Sequence, residues 1–163
     1  MRGQGRSDEA VRAYVLAAQP VFDALHEVAT RLAGLLMSAE MLKSRHVLDA
    51  ESREAARERL IEAKADHARL RAPELAAHFH HHLTAALEKL GTALDALDGR
   101  LSGLLSAADP LPPLRSAWKD IEAASRAMPG FETVDFQQSC CALHGNLLRT
   151  NGGMDGRVFN LDT

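Results

Sequence analysis

The chain has 163 residues, 46% hydrophobic and only 4% aromatic, with a formal net charge of −3. That size suits one domain with a sizeable core, the apolar share argues against disorder, and the weakly acidic balance offers nucleic acid no basic footprint. The N-terminal MRGQGRSDEAV lacks the apolar stretch of a signal peptide, and no uninterrupted apolar run is long enough to cross a bilayer.

Alanine and leucine dominate while β-branched and aromatic residues are sparse, which favours helices over strands. The first helix is expected to start at Ser7 or Asp8, both good N-caps. Its apolar positions run Val11, Tyr14, Ala18, Val21, Leu25, Val28, Leu32, Leu35, Ala39 and Leu42, alternating steps of three and four in a heptad seam. A second file, Val15, Phe22, Ala29 and Leu36, runs beside it and widens the face to what bundle packing needs. Pro20 falls on the outer side, where it bends a helix without ending it.

A second helix is expected over 50–71, capped by Asp49. Its thinner seam is Ala56, Leu60, Ala63, His67 and Leu70, and its other face is crowded with Glu, Arg and Lys. Pro73 suits the first turn of a third helix, whose seam is Leu83, Leu87, Leu90, Leu94, Leu97, Leu101 and Leu104. After the connector ADPLPPL, a fourth helix carries Leu111, Leu114, Trp118, Ile121, Ser125 and Met128, stopped by Pro129-Gly130. A short final helix is expected over 134–149, with a loose tail behind it. The fold class read from this pattern is all-α: an antiparallel helical bundle of four to five helices, two of them long and heptad-patterned. It forms a single domain over 1–163, with 1–7 and 151–163 as loose tails.

Four of the eight histidines fall at His78, His80, His81 and His82. With the leucine seam of the third helix facing inward, a 100° projection turns Phe79 and His80 toward the core. His82 comes to the flank, and His78 and His81 face away. On the outer side Glu74–His78 and His78–His82 are i,i+4 pairs and His78–His81 is i,i+3. Imidazoles so spaced meet on a helix surface and can bind Zn, Ni or Cu, which makes His78 and His82 candidate metal ligands. If helices two and three fold back about Pro73, residues whose numbers sum to about 147 share a level. His67 and His80 satisfy that and are the candidate cofactor-binding pair, for a metal or a haem iron.

The only cysteines, Cys140 and Cys141, are adjacent and cannot staple distant segments, so a reducing, cytoplasmic setting is expected. In SCCALH, Cys140–His144 is i,i+4 and Cys141–His144 is i,i+3, giving Cys140, Cys141 and His144 as further candidate metal ligands. No HExxH, Glu-x-x-His, P-loop or dinucleotide fingerprint is present, which points away from an enzyme. Two apolar files on the first helix exceed what short neighbours cover, so the partner expected is a second copy of the chain or another helical protein. The alternative is a metal- or haem-binding bundle with a sensing or storage role. The outer faces are not lysine-rich, which ranks docking on a membrane surface last.

Overall fold

A computed structural model describes residues 3–41, 48–102, 107–128 and 130–131. The final helix expected over 134–149 therefore lies outside the described residues. Everything described belongs to one compact unit, Met1–Glu132; Thr133–Thr163 divides from it as a second. Among the described residues all regular structure is helical: α1 (Gly3–Met41), α2 (Leu48–Arg69), a 3-10 turn (Glu74–Ala76), α3 (Ala77–Leu101) and α4 (Leu111–Ala127). None of these helices is long and apolar enough to cross a membrane.

Helix α1 begins at Gly3, ahead of the expected caps, and passes through Pro20 without interruption. Pro20 is exposed, so its missing N–H falls on the solvent side of the helix. Pro73, at φ −66° and ψ 159°, holds the chain extended before the 3-10 turn, and α3 therefore starts at Ala77 instead of at the proline. In α4 a proline occupies the first turn, where a backbone N–H would have no helical partner anyway, and Asp109 Oδ1 accepts from the Leu111 N–H at 3.1 Å. Beyond α4, Gly130 adopts φ 94°, the left-handed region that a side chain disfavours, and turns the chain toward Phe131.

The buried residues explain why the helices adhere. On α1 they include Tyr14, Ala18, Val21, Leu25, Val28, Leu32 and Leu35, recurring at steps of four and three. On α3 they include Phe79, Leu83, Leu87, Leu90, Leu94 and Leu97. Leu60 and Ala63 of α2, Leu114, Ala117, Ile121 and Ala124 of α4, and Phe131 complete one continuous apolar cluster. Fully burying a leucine contributes about 2 kcal/mol, so the α3 seam alone is a major stabilising term. Phe22 and Ala29, the second file of α1, are also buried within the chain. The apolar surplus left on α1 is correspondingly smaller than two full files.

Helix α3 touches α1, α2 and α4. Its pairing with α2 is antiparallel, since contacts at three levels rise along one helix as they fall along the other. His67 meets His80 and Thr84, Lys64 lies over Gly91, and Arg57 pairs with Asp98. At that last level Arg53 Nε also stands 3.2 Å from Asp98 Oδ1, as a charge contact without hydrogen-bond alignment. Gly91 carries no side chain at the level where the end of the Lys64 side chain passes over α3.

Candidate functional site

The histidines gather at the start of α3, where the first helical turns meet α1, α2 and α4. Phe79 points into the core at 1% exposure, against Tyr14, Phe22 and Phe131. That anchor fixes the rotation of α3 and distributes its neighbours: His80 is half-buried toward α2, His82 lies on the α4 flank, and His78 and His81 are exposed.

His67 and His80 lie together, ring centroids 4.4 Å apart and planes within 12°. Tyr14 Oη is 3.0 Å from His80 Nδ1. Thr84 gives its single hydroxyl proton to the His80 carbonyl at 3.0 Å, so its oxygen accepts from His67 Nε2–H at 3.2 Å. Burial pushes the His67 imidazole below its ordinary value, and the charge that His80 would carry pushes it the same way, against a smaller opposing backbone hydrogen bond. Burial lowers His80 as well. The Tyr14 phenol is pushed up to about 12, again by burial. Imidazole lone pairs lie in the ring plane, and a six-coordinate haem iron takes two imidazoles edge-on from opposite sides. These two rings present faces to one another, an arrangement that packs the helices, while burial disfavours the charged form of each.

On the α4 flank His82 Nδ1 is 3.1 Å from Asp120 Oδ1, and the other Asp120 oxygen pairs with Lys89. Both His82 and Asp120 are well covered, at 17% and 14% side-chain exposure. Burial alone would raise the Asp120 carboxyl, but hydrogen bonds from Lys89 and His82 outweigh it and hold the group below the usual carboxylate range. The remaining nitrogen of His82, Nε2, stands 3.3 Å from His78 Nε2, with the rings edge to face at 80°.

His81 meets only the edge of His82, at 5.5 Å between centroids. Glu74 sits in the 3-10 turn and so does not continue the α3 register toward His78. Among the described residues no three His, Cys, Asp or Glu side chains form a group able to hold a metal. Cys140, Cys141 and His144 lie outside the described residues.

Tyr14, Thr84, Lys89 and Asp120 join the candidate residues without having been anticipated. Tyr14 carried a signal, because a tyrosine on an apolar seam must find a partner for its hydroxyl. Asp120 carried a fainter one, an acid beside the seam residue Ile121. Compared with family models, with curated proteins and with solved structures, the chain matches none.

Proposed function

We propose that the chain is a non-enzymatic helical-bundle protein that acts through helix–helix association, with a second copy of itself as the partner. The observation that carries this reading is the reach of α1. Its 39 residues extend about 58 Å. The helices that share its core have 22, 25 and 17 residues. Toward its two ends Leu16 and Met37 stand 76% and 65% exposed. Leu16 and Met37 lie 21 residues apart on α1, away from the seam buried in the chain's own core, and the same face of a second copy, always present at equal concentration, can cover them. An antiparallel bundle in a reducing, cytoplasmic setting completes the reading.

Light scattering after size-exclusion chromatography tests it on the untagged chain. The expected mass is a multiple of 17.7 kDa. Leu16→Glu combined with Met37→Glu is expected to return it to the single-chain mass with the circular dichroism unchanged. A chain already monomeric before substitution contradicts the reading.

A further inference from the structure

We propose that His78 and His82 form a two-imidazole chelate for a divalent transition ion of the Zn, Ni and Cu class, with Asp120 as the positioning residue behind it. Two nitrogens each about 2.05 Å from one ion at the tetrahedral angle stand about 3.3 Å apart. The Nε2 atoms of His78 and His82 are 3.3 Å apart. Their i,i+4 spacing on α3 holds that separation through the helix backbone rather than through a mobile loop.

The second observation is what lies behind His82. Its Nδ1–H points at Asp120 Oδ1, so the lone pair of the neutral ring is left on Nε2, the nitrogen facing His78. Asp120 is itself anchored by Lys89 on its other oxygen. A carboxylate bonded to the far nitrogen of a ligand histidine fixes the tautomer and ring orientation and strengthens the donor. An incidental histidine on a solvated face has no such support. Metal binding uses the His78 tautomer that carries its proton on Nδ1 and its lone pair on Nε2, a form that proton exchange with water supplies at an exposed ring. His78 is exposed and His82 faces it, which leaves the other coordination positions open to water. The inference does not depend on self-association.

Isothermal titration of the untagged full chain with Ni²⁺, repeated with Zn²⁺, tests it. The expected result is one ion bound per chain, with His78→Ala and His82→Ala each weakening that binding at least tenfold. Asp120→Asn is expected to weaken binding by about ten- to a hundredfold, the usual effect of removing such a support. His81→Ala is expected to leave it unchanged, and so is the combined Cys140→Ser, Cys141→Ser, His144→Ala variant. His78 is exposed, so its substitution leaves the fold intact, as circular dichroism would register. Binding that survives His78→Ala overturns the proposal. So does binding that weakens as much with His81→Ala as with His82→Ala while ignoring Asp120→Asn, the pattern of an adventitious histidine-rich face.

Discussion

The imidazoles of His67 and His80 lie face to face at 4.4 Å, joining the end of α2 to the start of α3. Their near neighbours are uncharged, the Tyr14 phenol on one side and the Thr84 hydroxyl on the other. Both rings are held below the ordinary histidine value of 6.5 in the folded chain. The unfolded chain therefore binds protons first as pH falls. The stability from this pair is complete above about 6.5 and is lost as pH drops from there through the lower folded values. Urea midpoints measured between about pH 7 and pH 5 should decline, and His67→Phe, which keeps an aromatic ring in the stack but cannot titrate, should make the decline shallower. An identical decline in the variant would place its origin elsewhere.

Tyr14 is the only tyrosine in the chain, so its ionisation can be followed by ultraviolet absorbance without overlap from another phenol. The phenolate should appear near pH 12. Removing the hydroxyl with Tyr14→Phe should cost about 1 kcal/mol, the net value of one intramolecular hydrogen bond, and should leave the ring packing on Phe79 in place. A phenol titrating near 10 would show that it stands in water.

Phe79 is the side chain on which the orientation of the histidines depends. Phe79→Ala should lower stability by about 3–5 kcal/mol, because the cavity would open among Tyr14, Phe22 and Phe131 where no neighbour can collapse freely. Leu75→Ala, by contrast, removes a side chain that is 69% exposed and should change stability by less than about 0.5 kcal/mol. Denaturant unfolding of the two variants distinguishes the sites; equal effects would contradict the placement of Phe79.

Two helical glycines should respond differently to alanine. At Gly34 an added Cβ meets nothing within 4 Å, so Gly34→Ala should gain about 1 kcal/mol from helix propensity alone. At Gly91 the added carbon would lie 3.1 Å from Lys64 Nζ, the free end of a flexible side chain, which must move aside. The gain at Gly91 should be the smaller of the two, as read from thermal midpoints.

Much of this arrangement can be read in the chain, because burial imposes a period. The leucines of α3 fix which way Phe79 and His80 turn, and a reversal about Pro73 brings His67 level with His80. Contacts between elements that are distant in sequence are harder to read. The bond from Asp120 to His82, and the pairing of Tyr14 with His80, depend on how far α4 and α1 slide along α3, which a heptad does not encode. Pro73 also delayed the start of α3 by a 3-10 turn, which parted Glu74 from the helical register of His78. Phe22 reads as surplus on α1 from sequence because one of its partners, Phe131, lies outside the expected helices.

The self-association of α1 is tested most directly by sedimentation equilibrium of the untagged chain over a range of micromolar concentrations. A weight-average mass that rises with concentration toward twice 17.7 kDa or more is the predicted result. A constant 17.7 kDa throughout that range would contradict it.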